Sequence, residues 1–161
     1  MTRLKVLIGT LAVIVGMGIL SSAQDIDIDT HFGTWMVTIT PPAASGRPAF
    51  SALLTFASGG AFIASTQNDH LVPSVDVHQG SWQRGDHGEI NSTELYFVYS
   101  PAGFALGTGK TRATYDFPDA DTLTGYGQLS ACDLNGANCV SFPGFASIEG
   151  KRVKVEKVPG E

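Results

Sequence analysis

The segment Gly33–Thr40, GTWMVTIT, alternates between two kinds of side chain along its whole length. The alternation places Trp35, Val37 and Ile39 on one face and leaves the intervening residues on the other. Because successive side chains of a strand point to opposite faces, this period of two residues predicts a strand with one buried face. Two prolines follow the segment directly and end it.

Further segments of the same kind follow, separated by short turns rich in glycine, proline and aspartate. Ser58-Gly59-Gly60 and the stretch 85–88 predict tight hairpins. The additional predicted strands are 49–57, 61–66, 77–84, 89–100, 104–117, 122–132, 139–148 and 152–158. Eight or nine strands in sequential hairpins predict an all-β, antiparallel up-and-down barrel, which closes to remove its exposed edges. An open two-sheet sandwich is the alternative.

The first 23 residues differ in composition from the rest of the chain. Arg3 and Lys5 precede the apolar run 6–20, which is shorter than the roughly 20 residues that a membrane-spanning helix needs. Small residues follow, so residues 1–23 are predicted to be a signal peptide cleaved near Ala23. The mature protein would then be periplasmic or extracellular, without stable membrane insertion. An uncleaved N-terminal anchor is the alternative.

The remaining chain has the length of one domain. We expect a leader segment over 24–32, a single β-barrel domain over 33–158 and a tail over 159–161. The full sequence carries 10 basic and 15 acidic residues. Cleavage would remove Arg3 and Lys5 and leave 8 basic against 15 acidic residues, a net charge of −7. A nucleic acid is therefore not an expected partner.

Residues 107–111, GTGKT, resemble the end of a phosphate-binding loop. That loop needs four residues between its first glycine and the Gly-Lys pair, and a helix after it. Here five residues separate Gly103 from Gly109, and the segment that follows has strand character and ends at Pro118. We therefore expect no bound nucleotide. Alternate residues 105–113 form a face of small side chains, which indicates a bend or free space beside the strand.

Cys132 and Cys139 are the two cysteines of the chain, and they are placed symmetrically about Asn135-Gly136. A two-residue type I′ turn at Asn-Gly would set the cysteines opposite each other across a hairpin. In an exported protein we expect them to form a disulfide. The four histidines show no zinc-ligand spacing, so no metal and no cofactor are expected.

Gly33-Thr34-Trp35, at the start of the first strand, resembles the Gly-x-Trp signature of lipocalins and the wider calycin barrels. That resemblance implies a tryptophan that plugs the closed end of the barrel, with an arginine of the last strand lying across it. Arg152 is the matching position here. The sequence lacks the lipocalin Thr-Asp-Tyr motif and a helix after the last strand. Small secreted bacterial barrels similar to allene oxide cyclase are the competing family.

One of the two faces of the predicted strand 89–100 lines the lumen, and the two faces differ in polarity. The face with Leu95, Phe97 and Tyr99 is the more apolar, so the pattern favours it as the inner one. The opposite face, with Glu94 and Tyr96, would bring a partly desolvated carboxylate next to a phenol. Asn91-Ser92-Thr93 on this strand fits the glycosylation acceptor pattern.

Taken together, these features predict an exported, lipocalin-like barrel that holds a small apolar or amphipathic molecule in its lumen. Ligand-lining candidates are Phe56, Trp82, Leu95, Phe97 and Tyr99. The first alternative is a barrel enzyme of the cyclase or isomerase type acting on a hydrophobic small molecule, with Glu94, Tyr96, His78 and Arg112 as catalytic candidates; the sequence favours the non-enzymatic protein. The second alternative is an envelope or structural interaction protein.

Overall fold

The computed structural model of the chain describes residues 31–71 and 74–158. The predicted signal peptide, most of the predicted leader and the predicted tail lie outside these residues. No helix in the described part of the chain is long and apolar enough to cross a membrane.

The described chain is almost entirely β-structure. Its strands are β1 (Gly33–Thr40), β2 (Phe50–Phe56), β3 (Ala61–Thr66), β4 (Ser74–Val75), β5 (His78–Arg84), β6 (Ile90–Tyr99), β7 (Ala105–Asp119), β8 (Thr122–Cys132), β9 (Val140–Ser141) and β10 (Ala146–Arg152). Single 3-10 turns at Ala43–Ser45 and Ser58–Gly60 are its helical elements.

Eight of these strands form a closed antiparallel barrel. From β1 to β8 the strands pair in chain order, except that the two-residue β4 is skipped. The two-residue β9 is not one of the eight barrel strands. The barrel closes where β10 pairs with both β1 and β8, as in Ile39↔Ile148 and Leu123↔Gly150. β4 and β9 extend the sheet beside β6 and β8. The predicted all-β up-and-down barrel is therefore confirmed.

The alternation that predicts the strands also sorts side chains between the lumen and the outer surface. Trp35 and Val37 of β1 are buried, whereas Met36 is half-exposed. The buried apolar side chains form one cluster inside the barrel: Trp35, Val37, Ala52, Leu54, Phe56, Phe62, Ala64, Ile90, Ala113, Tyr115, Leu123 and Ile148. Their burial is the main source of stability.

Trp35 lies at one end of the lumen and is fully buried. The Arg152 guanidinium lies 4.3 Å from the centre of its ring, close enough for a cation–π contact. Arg152 also donates hydrogen bonds to the carbonyls of Phe32 and Ala120. Gly33 has a φ of 122°, and a Cβ there would lie 2.8 Å from Arg152 Nη1. Glycine therefore suits both the backbone and the close approach of the arginine at this end.

Cys132 and Cys139 form the predicted disulfide, with their Cα atoms 4.1 Å apart. The predicted type I′ turn is wrong, because Asn138 is the one non-glycine residue with positive φ in the described chain. Asp133 instead accepts hydrogen bonds from the amides of Asn135 and Ala137, both 2.9 Å long. This side chain stabilises a longer loop between the same two cysteines.

The end of the barrel also differs from the prediction. Glu149-Gly150, which separates the predicted strands 139–148 and 152–158, lies inside β10, and the predicted last strand over 152–158 is absent, since residues 153–158 form no strand. A Cβ at Gly150 would lie 2.8 Å from the Met36 carbonyl. Glycine is thus needed where β10 passes close to β1, which explains its place inside a strand.

Candidate functional site

A cluster of polar side chains occupies the end of the lumen opposite Trp35. His78 opens β5, and Glu94 and Tyr96 point inward from β6. Asp69 comes from the turn after β3. Asp69, His78 and Glu94 are each only 6–7% exposed, a degree of burial that charged side chains reach mainly when they are paired. We call Asp69, His78, Glu94 and Tyr96 the lumen polar cluster.

His78 lies at the centre of this cluster. Its Nδ1 is 3.4 Å from Glu94 Oε1, and its Nε2 is 3.8 Å from Asp69 Oδ1. The ring of Tyr96 stacks on the imidazole, with the ring centres 3.9 Å apart and the planes inclined by 14°. One imidazole therefore separates two buried carboxylates and is held against an aromatic ring.

Two local features fix this arrangement. Asp69 accepts hydrogen bonds from the amide of Thr66, at 2.7 Å, and from the Thr66 hydroxyl. Each oxygen of the buried carboxylate therefore has a hydrogen-bond donor. The ring of Tyr96 lies where a Cβ of Gly109 on β7 would stand. The predicted face of small side chains on β7 thus makes room for Tyr96.

The other polar atoms of the cluster lack such partners. Both imidazole nitrogens of His78 and Oε2 of Glu94 are buried without a hydrogen-bond partner among the described residues. The close approaches of His78 to the two carboxylates do not have hydrogen-bond geometry. Since buried polar groups are normally hydrogen-bonded, these atoms mark a place suited to an outside partner.

The electrostatic potential in the cluster is negative. Burial raises the pKa of the Tyr96 phenol well above its usual range, and the charges of Glu94 and then Asp69 raise it further. Arg47, an exposed residue, lowers this pKa but acts less strongly than either carboxylate. Burial also raises the pKa of Tyr115, with a further contribution from Glu94. Both phenols therefore stay neutral at physiological pH.

The lumen is aromatic toward the end with Trp35 and polar toward the opposite end. Toward the closed end, Phe56 contacts the rings of Phe62, Tyr115 and Phe117 at centroid distances of 5.0, 5.2 and 5.8 Å. Inward positions beside the polar cluster are small. They are Ala64, Ser92, Ala113 and Gly127. A packed aromatic floor thus lies below a zone of short side chains and a polar mouth.

Three of the four catalytic candidates are brought together in this mouth. They are His78, Glu94 and Tyr96. Arg112 is not one of them: it is exposed on the outer face of β7, where its Nη2 lies 3.5 Å from both Gln128 Oε1 and Ser141 Oγ. Successive side chains of β7 point to opposite faces, so Arg112 points outward and the next residue, Ala113, points into the lumen.

The expected orientation of β6 is wrong. Leu95 and Phe97 point outward and are 40% and 44% exposed, so they do not line the lumen. Tyr99, beyond an irregularity in the register, has its ring 6.3 Å from that of Phe97. The inner face is instead the one with Ile90 and Glu94, because both side chains are buried.

Two ligand-lining candidates do face inward, near the closed end of the barrel. Phe56 is buried in the aromatic floor. Trp82 packs beside Phe56 and Phe32 and donates a hydrogen bond to the Ala57 carbonyl, 2.9 Å away. Both lie among the aromatic side chains of the floor rather than at the polar mouth.

Sequence reasoning missed Asp69, Ser92 and Tyr115. Asp69 lies in a polar loop, where an aspartate carries no sign of burial, although Thr66 three residues earlier is a suitable donor. Ser92 shares the face of Glu94 and was open to detection once that face was known. Tyr115 shows no feature in the sequence beyond its place in a predicted strand.

Two shallow concavities occur on the outer surface of β5–β8, with volumes of about 350 and 220 Å³. The residues that line them include Arg112, Tyr126 and Gln128 in the first and Ser81 and Gln83 in the second. These side chains face away from the lumen, but the linings also include the inward positions Ser92 and Ala113 in the first concavity and Trp82 and Ser92 in the second. Neither lining contains a residue of the lumen polar cluster.

The described residues contain no group of three or more metal-ligating side chains placed to hold a metal ion. No protein-family model matches the chain, and neither does any curated protein sequence.

Proposed function

We propose that this protein is an exported barrel that binds a small amphipathic molecule at the polar mouth of its lumen. The observation that carries the proposal is the set of buried, unpartnered atoms on His78 and Glu94. Leaving such groups unsatisfied costs about 1–3 kcal/mol each, and more for charged groups. A bound molecule with a polar end would satisfy them, and few convergent polar groups are typical of a ligand site.

The shape of the lumen limits the size of this molecule. Its polar end would contact His78 and Glu94, and its apolar part would extend over the short side chains of Ala64 and Ala113. The aromatic floor around Phe56 leaves little depth below them. A short apolar portion therefore fits better than a long acyl chain.

The disulfide supports the exported location. Disulfides persist in oxidising compartments and are rare in reducing ones. Cys132 and Cys139 form one in this protein. The location and the predicted signal peptide are both tested by the N-terminal sequence of the native mature protein, which is expected to begin near residue 24.

Native mass spectrometry of protein purified from its source tests the binding function. We expect a small-molecule adduct on the wild type that disappears when the protein is denatured. His78→Gln removes the imidazole from the mouth and should lose the adduct. His70→Gln is the matched control, because His70 is an exposed histidine nearby in sequence, and it should keep the adduct. A wild type without an adduct, or an adduct retained by His78→Gln, contradicts the proposal.

A second candidate function is proton transfer on the bound molecule. It is favoured by the contact of a carboxylate with an imidazole, an arrangement suited to acid–base chemistry. In such an isomerisation, Glu94 takes a proton from one carbon of the ligand, the double bond shifts, and the imidazolium of His78 gives a proton to another carbon. The proton on Glu94 then passes to His78 Nδ1, 3.4 Å from Glu94 Oε1, which restores both groups. Incubation of the ligand with the protein in D₂O should then introduce deuterium into the ligand, and Glu94→Gln should abolish this exchange. Equal exchange with and without protein would exclude the reaction for that ligand.

A further inference from the structure

The charges around the polar mouth bear on the chemical class of the ligand. Two carboxylates, Asp69 and Glu94, flank a single imidazole, and both are more than nine-tenths buried. A single imidazole can balance the charge of at most one of two carboxylates. Among the described residues, the cation that acts on Tyr96 is Arg47, and it is exposed to solvent.

The two carboxylates are not equivalent. Asp69 receives two hydrogen bonds from Thr66, whereas Oε2 of Glu94 receives none from the described residues. An ionised oxygen accepts hydrogen bonds and donates none. A donor can therefore pair with Oε2 of the Glu94 carboxylate, and a positively charged donor makes the stronger, charge-assisted bond.

We infer that the lumen site selects a molecule with a protonated amine, held by a charge-assisted hydrogen bond to Glu94 Oε2. This inference rests on the proposed binding function and narrows it to one ligand class. The ring of Tyr96, which stacks on the imidazole of His78, borders the site. A carboxylate ligand would instead place a third negative charge beside two buried ones, which desolvation makes strongly unfavourable.

Three probes of equal chain length test the inference: n-hexylamine, hexan-1-ol and hexanoate. At pH 7 the amine is positively charged, the alcohol neutral and the carboxylate negatively charged. Dissociation constants are measured by ligand-observed NMR on the ligand-free mature protein. We expect the amine to bind at least tenfold more tightly than either other probe. The ranking is obtained on the wild type, so it does not depend on the folding of a variant.

A matched pair of variants locates the preference. Glu94→Gln keeps the size of the side chain and removes the charge, and it should reduce the preference for the amine to less than threefold. Glu149→Gln removes one charge from the exposed face of β10 and should leave the preference unchanged. The preference should also persist in 0.5 M salt, because buried charges are screened much less than surface charges.

The possible outcomes separate the two proposals. If hexanoate or hexanol binds as tightly as the amine, the inferred ligand class is wrong while the binding function stands. If none of the three probes binds, the proposed binding function itself fails. If Glu94→Gln keeps the full preference, or salt removes it, the amine is attracted by the acidic surface and the inference is overturned.

Discussion

Replacing Glu94 with glutamine is expected to raise the stability of the ligand-free protein. Glu94 is 6% exposed, and one of its oxygens has no hydrogen-bond partner among the described residues. Burying an unsatisfied charged group costs about 1–3 kcal/mol or more. Glutamine keeps the size of the side chain and its polar atoms and removes only the charge, so the variant should recover the part of this cost that comes from burying a charge, about 1–3 kcal/mol. Functional sites commonly carry such a loss of stability.

This gain corresponds to a rise in melting temperature of about 4–12 °C, since about 1 kcal/mol shifts the melting temperature by roughly 4 °C in a domain of this size. Protein refolded from denaturant, and thereby freed of ligand, is unfolded with urea at pH 7 and followed by circular dichroism. Glu149→Gln, which removes an exposed charge, should change stability by less than about 0.5 kcal/mol.

The opposite result would refute this reasoning. If Glu94→Gln loses more than about 1 kcal/mol, more than a surface substitution normally costs, the carboxylate supports the fold. The lumen polar cluster would then be a structural network, and its unpartnered atoms would not indicate a ligand site.

Three further predictions concern the rest of the barrel. The Cys132→Ser, Cys139→Ser double variant should lose about 2.5 kcal/mol through greater loop entropy and still fold, as measured by urea denaturation; failure to fold would show that the disulfide is essential. Gly33→Ala, where a Cβ would lie 2.8 Å from Arg152 at a φ of 122°, should be less stable than Gly88→Ala, which has a φ of 90° and no atom within 4 Å of the added Cβ; equal losses would mean that the approach of Arg152 is unimportant. Because the folded-state pKa values of Tyr96 and Tyr115 are raised, the unfolded state releases their protons first. Stability should therefore fall as pH rises above about 10, by up to about 1.4 kcal/mol per pH unit for each phenol. Tyr96→Phe should reduce that slope, and an unchanged slope would contradict the assigned burial.

The barrel is predictable from sequence because its strands keep a strict alternation and its turns contain residues with a clear conformational role. Gly59, for example, has a φ of 80° in the β2–β3 hairpin. Gly150 shows where this reasoning fails. Its absence of a side chain serves a close approach between strands rather than a turn, and only the neighbouring strand reveals that.

The site is harder to predict because the usual rule, that the more apolar face of a strand points inward, does not hold there. On β6 the apolar residues Leu95 and Phe97 point to solvent, whereas Glu94 points into the lumen. Hydrophobic alternation therefore identifies the strand and assigns its inner face wrongly. Such conflicts between local pattern and tertiary position are expected at functional sites. Asp69 is brought to His78 by a loop, a contact that no spacing in the sequence encodes.

The location of ligand binding is the most direct test of this account. A ¹H–¹⁵N NMR titration of the mature protein with n-hexylamine reports which amides change their environment. We expect the largest shifts at His78, Ser92 and Glu94 and at the neighbouring inward position Ala64. Shifts confined to the outer face, at Leu95, Phe97 or the surroundings of Arg112, or no shifts at all, would contradict an amine-binding site at the polar mouth of the lumen.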